Sequence, residues 1–359
     1  MRTTDTRVRR ALTAMAAGRP VVITGGSDRD HQGWLAFAAE AATAALVAFT
    51  VRHTSGYLRV ALPGSACTRL SLPPIWHGDN DSDAGGHRVA VDWEGTGTGI
   101  SARDRAATIV ALSAEESEAE QFRRPGHVVP VQVATGGVLG RPGPAEAALD
   151  LARLAGCRAA AVLCDLVSRN HPTAMCRGGE LVEFAAQHRL PVVSITELAA
   201  YRRRTEPQVV RAADNRLPHR DGTFHAIRFR EVHGDGEHLA VIIGNATSGD
   251  SVPLHVHVEC LTSDVFGSNG CRCGTELSAA LADMRAKNCG LIVYLRPPGP
   301  MRGCGLGARA GWDAEDLSHI AAWILRDLGV YTMRLSDESP GFGLVIFGRI
   351  RERGLRIAG

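Results

Sequence analysis

Nowhere in the 359 residues does an apolar run approach the length of a membrane span, and the opening residues MRTTDTRVRRALTAMAAGRP carry arginines without a signal peptide's apolar stretch. These two absences predict a cytoplasmic protein with no membrane partner. No block of basic charge is present either: the formal net charge is +2 and the charged fraction is 22%. That balance argues against wrapping nucleic acid and for a small-molecule partner. There is no internal repeat and no low-complexity tract. Nine cysteines, an odd number scattered through a mid-sized chain, do not make a disulfide framework. A reducing compartment would leave their thiols available to a metal.

What is present is the alternation of an α/β protein. Short apolar runs take turns with alanine-rich helical stretches, over a length that suits two domains with separate cores. Val21-Val22-Ile23-Thr24 reads as a buried strand closed by Gly25-Gly26, and 35–50 reads as a helix. Further helices are expected at 146–155 and 180–188, with strands at 159–163 and 191–195. The basic stretch Tyr201-Arg202-Arg203-Arg204-Thr205-Glu206-Pro207, followed by Asn215-Arg216-Leu217-Pro218, reads as a solvated linker. It divides the chain into domains 1–205 and 206–359. Beyond it, 224–232 and 238–243 form a hairpin about Gly234-Asp235-Gly236, and helices are expected at 277–287 and 316–328.

Three thiols stand out in the second domain. Cys260, Cys271 and Cys273 lie in one run, Glu259-Cys260-Leu261-Thr262 through Gly270-Cys271-Arg272-Cys273-Gly274. Three thiolates can fix one Zn2+ per chain tetrahedrally at roughly 2.3 Å per bond, leaving a fourth position at which the metal acidifies water. A structural zinc would need a fourth protein ligand, for which Cys289, Cys304, His255 and His257 are candidates.

Several segments carry a resemblance that spans nearly the whole chain. Ala17-Gly18-Arg19-Pro20-Val21-Val22, Val51-Arg52-His53-Thr54-Ser55-Gly56, Gly99-Ile100-Ser101-Ala102-Arg103-Asp104-Arg105-Ala106 and Asp150-Leu151-Ala152-Arg153-Leu154-Ala155-Gly156 resemble 3,4-dihydroxy-2-butanone 4-phosphate synthase. Val256-His257-Val258-Glu259-Cys260-Leu261-Thr262, with Cys271 and Cys273, resembles the zinc segment of GTP cyclohydrolase II. The order is that of the fused bifunctional proteins of riboflavin biosynthesis. The resemblance implies a synthase-like α/β domain, a zinc-binding cyclohydrolase-like α/β domain and a homodimer.

Set against that family, both sites are altered. In the synthase half the acidic loop that holds magnesium is matched by residues 25–34, in which a metal-binding glutamate is Asp30, the next carboxylate is Gln32 and a third is Trp34. The family's second ligand, a histidine, is matched by Pro144, and a further glutamate by Asp165. Magnesium demands hard oxygen ligands in tight octahedral geometry, so Mg2+ and synthase activity are not expected here.

In the cyclohydrolase half the resemblance places His255 where the family has an arginine before the zinc segment, and Glu276 where a glutamine contacts guanine. Arg302, in a proline-stiffened loop, is left to orient an anionic group. The positions of the family's catalytic aspartate and arginine fall on Ala314 and Asp316, and a one-residue slide restores Asp313. Asp313, Glu315 and Asp316 are therefore the candidate proton carriers, although carboxylates at a helix start also complement its dipole. The reading that follows is a zinc hydrolase opening a C–N bond of a nucleobase-like heterocycle or related amide, on a changed nucleotide or heterocycle substrate. The alternatives are GTP cyclohydrolase II activity in riboflavin biosynthesis, or a non-catalytic zinc-stabilised partner of an active homologue.

Overall fold

The structure, a computed structural model, describes residues 3–25, 32–75, 86–171, 173–219, 222–244, 251–299, 301–306, 314–335 and 355–357. The chain divides into two compact units, Met1–Arg202 and Arg203–Gly359.

In the first unit, strands β1 (Val21–Thr24), β2 (Gly33–Ala38), β3 (Arg59–Leu62), β4 (Val91–Trp93), β5 (Phe122–Gln132), β6 (Ala161–Asp165) and β7 (Val192–Ser194) form one sheet in the order β4-β5-β3-β6-β2-β1-β7. It is mixed: β1 runs parallel to β7 and β3 to β5, while β2 and β6 are antiparallel to their neighbours. Its central strands are apolar on both faces because both faces are covered. Ala161 and Leu163 point into one core with Ile23, Ala36 and Leu149, whereas Val162 and Cys164 point into another with Phe37, Val60 and Ile109.

The segment 35–50 corrects the sequence expectation of a single helix. Residues 35–38 belong to β2, and the helix is only Ala44–His53, opened by Thr43, whose hydroxyl accepts from Leu46 N at 3.1 Å. A strand buried on both faces shows no alternation, so its apolar run cannot be told from a helix by periodicity. The helix Pro144–Leu154 is almost wholly buried and carries two buried acids. Glu146 pairs with Arg141, and Asp150 accepts from Arg202 Nη1 at 2.6 Å and from Val138 N at 2.8 Å.

That last pair corrects the linker reading. Residues 201–205 close the helix Ile195–Thr205, and Arg202 is 8% exposed because its charge is matched by Asp150. Residues 215–218 likewise belong to a strand. A charge run does not reveal which of its members has an acid waiting in the core.

The second unit is built on β8 (Val209–His219), β9 (Gly222–Glu231), β10 (Glu237–Gly244), β11 (Val252–Val258), β12 (Cys289–Leu295), β13 (Thr332–Leu335) and β14 (Arg356–Ile357), ordered β14-β13-β11-β12-β10-β9-β8. The expected hairpin is β9–β10. Strand alternation sorts the residues around the site. Leu254, Leu291, Val293 and Leu295 face the helix Ala314–Asp327 through Leu317, Ala321 and Ile324. Ile243 and Ile292 face the helix Cys273–Ala286 through Leu277, Leu281 and Met284. The parallel pairing of β11 with β12 sets His255 beside Ile292 and His257 beside Tyr294, so both histidines share the second face. No helix among the described residues is long and apolar enough to cross a membrane.

Candidate metal centre

Cys260 sits at the exit of β11 and opens the short helix Leu261–Asp264, while Cys273 opens the helix Cys273–Ala286 with Cys271 two residues ahead of it. The two helix starts are fastened together by Ser263, whose hydroxyl accepts from Gly274 N at 2.9 Å. A Cβ at Gly274 would lie 2.8 Å from that hydroxyl, so the residue after Cys273 has to be glycine for the thiols to meet.

The three thiols converge, and a fourth joins them. The Sγ atoms of Cys260, Cys271, Cys273 and Cys304 lie within 4.8 Å of one another. Cys260 and Cys271 are 3.7 Å apart, and Cys273 and Cys304 are 3.9 Å apart. A tetrahedral zinc with bonds of about 2.3 Å requires sulfur separations of about 3.8 Å. The donor set therefore fits zinc. Of the four candidates for a further ligand, the structure brings in Cys304. His257 is committed elsewhere, and Cys289 pairs with Gly244 at the other end of β12.

The electrostatics of the cluster favour a cation. Burial opposes ionisation of Cys260, but hydrogen bonding from Thr262, from the backbone N–H groups of Cys304 and Ser263 and from Cys271 outweighs it and brings the thiol down to about 7. Burial, the hydrogen bond with Cys271 and the charge of Cys260 drive Cys273 upward. Thiols this close cannot all ionise without a metal to hold their charge.

Behind the thiols stands a carboxylate that sequence reasoning missed. Asp264 Oδ2 accepts from Cys260 N at 2.9 Å, His257 Nε2 at 2.9 Å and Tyr294 Oη at 2.7 Å. It thereby fixes the turn that presents Cys260 and ties β11 to β12. The legible signal was an acid four residues after a ligand cysteine, on the same short helix. Burial and the bond to Asp264 hold the Tyr294 phenol far above its ordinary value. His255 is buried, and burial together with His257 pushes it down to about 4, so it is neutral at working pH.

The remaining predicted residues are dispersed. Arg302 is next to the cluster, since its carbonyl accepts from Leu261 N at 2.7 Å. Its Nη2 donates to Pro298 O at 3.3 Å, while Nε and Nη1 are buried with no partner among the described residues. Glu276 stands in the first turn after Cys273, 3.4 Å from Arg272. Asp316 pairs with Arg203 at 2.9 Å, and Glu315 lies 4.0 Å from His319, both at the start of the helix Ala314–Asp327. Asp313 lies outside the described residues, as does Asp30.

At the matching place in the first unit Asp165 is held by three donors. Asp165 accepts from Trp34 Nε1 at 2.7 Å, Gln32 Nε2 at 3.1 Å and Arg59 Nη2 at 2.6 Å. Two of these donors stand where the resemblance placed family carboxylates, so the anion is matched by a guanidinium and two N–H groups.

Comparison with known proteins agrees with both halves. The family profile of 3,4-dihydroxy-2-butanone 4-phosphate synthase matches residues 9–201, and that of GTP cyclohydrolase II matches residues 210–342. The riboflavin biosynthesis protein RibBA of Rhodococcus erythropolis is 43% identical over 375 residues, covering 96% of this chain and 88% of that protein. Its counterpart in Nocardia farcinica is 42% identical over 371 residues, covering 96% and 89%. Among solved structures, the two-domain 3,4-dihydroxy-2-butanone 4-phosphate synthase RibBX of A. baumannii aligns with a TM-score of 0.72 at 29% identity, over 98% of this chain and 99% of that one. A 3,4-dihydroxy-2-butanone 4-phosphate synthase solved with two magnesium ions aligns with 55% of this chain and 97% of its own, at a TM-score of 0.52 and 36% identity. The chain therefore belongs to the family of fused riboflavin-biosynthesis proteins, in which a 3,4-dihydroxy-2-butanone 4-phosphate synthase domain is joined to a GTP cyclohydrolase II domain.

Proposed function

We propose that the second unit is a zinc-dependent hydrolase of the cyclohydrolase type, opening a C–N bond of a nucleobase-like heterocycle or related amide other than GTP, and that the first unit serves as a scaffold without synthase activity. The observation that carries this reading is the convergence of Cys260, Cys271 and Cys273 on one point with their support through Asp264 intact. Positions that would handle a triphosphate or read guanine in this family are meanwhile occupied by other residues.

When bound by these thiols, zinc supplies Lewis acidity to water or to the group under attack. The chain's own residues do the rest. Asp264 and His257 hold Cys260 in place, and Arg302, two of whose guanidinium nitrogens have no partner among the described residues, grips a small anionic group on the substrate. His255 offers a neutral edge where the family has a positive charge, which suits a less anionic ligand than a triphosphate. By the resemblance, Glu276 takes the position of the glutamine that contacts guanine, and its carboxylate would meet a different base edge. Asp313, Glu315 and Asp316 flank the position of the family's proton carrier, and Asp316 acts only once released from Arg203.

The fourth thiol favours a second reading. Four cysteines make a closed structural zinc site, as expected of a non-catalytic, zinc-stabilised partner of an active homologue. Metal content and formate release from GTP by the purified full chain test the proposal, and Cys271→Ser separates it from the structural reading, since metal lost with the fold kept supports the hydrolase and loss of the fold supports a structural metal. The proposal expects about one zinc per chain and no formate. Formate would restore plain GTP cyclohydrolase II activity and overturn the change of substrate; a chain that binds no zinc would overturn the hydrolase reading.

A further inference from the structure

Cys304 is not one of the three cysteines that the cyclohydrolase resemblance accounts for. It reaches the cluster from the loop after β12, 31 residues beyond Cys273 and 3.9 Å from its sulfur. Three contacts dock this loop on the short helix Leu261–Asp264. Leu261 N donates to Arg302 O at 2.7 Å, Thr262 Oγ1 donates to Cys304 O at 3.1 Å, and Cys304 N donates to Cys260 Sγ at 3.4 Å. A Cβ at Gly303 would lie 2.8 Å from Thr262 Cγ2, so a side chain there would push Thr262 from its place against the loop.

The four thiols are not equivalent. Cys260 is buried, Cys271 and Cys273 are half-buried, and Cys304 is exposed. The loop that carries Cys304 is bounded by Gly299 at φ +110° and Gly305 at φ +87°, both with open space around them. Those are conformations that glycine adopts readily and other residues resist.

We propose that Cys304 is a fourth zinc thiolate that caps the metal at the position a hydrolytic site leaves open. The inference rests on the sulfur geometry for the cap and, for its bearing on activity, on the hydrolase reading, under which the Cys304 thiolate has to leave the metal before water can bind there. Four thiolates around a dication carry a net charge of −2, against −1 for three, so the capped site also repels an anionic ligand.

The test is X-ray absorption at the zinc edge of the full chain, wild type and Cys304→Ala, with zinc content and thermal unfolding measured on the same samples. Cobalt(II) substitution supplies an independent optical signature of the sulfur count. The proposal expects four sulfur neighbours at about 2.3 Å in the wild type, and in the variant one sulfur fewer with a light N or O neighbour in its place, zinc retained and the fold intact. Three sulfurs and a light atom in the wild type would overturn the cap while leaving the hydrolase reading standing. Four sulfurs in the wild type with zinc lost from Cys304→Ala would support the cap and overturn the hydrolase reading, since the site would then be a structural tetrathiolate. If Cys304→Ala fails to fold, Cys304→Ser in the cobalt form decides the same question through its spectrum.

Discussion

Replacing Asp264 probes the support of the thiol cluster directly. One oxygen of this buried carboxylate receives three hydrogen bonds, from the Cys260 backbone, the His257 ring and the Tyr294 phenol. Each bond to a charged acceptor contributes about 2 kcal/mol, roughly twice a neutral one. Asp264→Asn can keep an oxygen toward all three donors but loses the charge, at a cost of about 3 kcal/mol by that halving. Asp264→Ala removes the acceptor of all three bonds and strands the His257 and Cys260 donors in a dry site, which raises the cost to about 6 kcal/mol. For a unit of this size, about 3 kcal/mol corresponds to a fall of about 6–12 °C in Tm. Calorimetry of the full chain at fixed free zinc, with hydrogen exchange on peptides from β11 and β12 to assign the transition, measures both variants. A Tm within about 1 °C of wild type for Asp264→Asn, or equal values for the two variants, would refute the view that this acid organises the site.

The same approach applies elsewhere. Asp150→Asn should destabilise the first unit by about 3–5 kcal/mol, because Arg202 is left buried without its counter-charge; urea unfolding of the full chain, followed at the N-terminal transition, checks it. Asp165→Asn should cost about 2 kcal/mol through the loss of its charge-assisted bonds, and about 10 mM Mg2+ should leave the wild-type transition unmoved, since the acid's charge is already matched by Arg59. A magnesium-dependent rise in Tm would contradict that account. His255 has a folded pKa near 4, below its unfolded value of 6.5, so the unfolded chain binds the extra proton first and stability is lost as pH falls from about 6.5 toward 4. Between pH 7 and 5 the loss is about 2 kcal/mol. It should vanish in His255→Gln, and equal pH slopes for the two proteins would show that the histidine is not the cause.

How much of this could be read from the sequence depended on whether the determining contacts were local. The apolar runs of β1, β6 and the β9–β10 hairpin were legible because each is a short strand bounded by turn residues. The run at 35–38 was not, since a strand covered on both faces has no period. Cys260, Cys271 and Cys273 lie within one segment, and their spacing announces a metal. Cys304 stood as one candidate among four, because a loop conformation decides its place in the cluster. Asp264 and Tyr294 are brought together only by the register of β11 against β12. Arg202 illustrates the same limit, since its partner Asp150 is 52 residues upstream.

The environment of Asp165 has a consequence for how the chain responds to its surroundings. A guanidinium cannot be chelated, diluted or exchanged for another ion, and Arg59 gives the acid a permanently charged neighbour inside the fold. On the proposed reading the first unit carries its own cation, while the thiol cluster of the second obtains one from outside. A drop in available metal would on that reading act on half of one polypeptide, lowering the stability of the cyclohydrolase-like half before that of the synthase-like half.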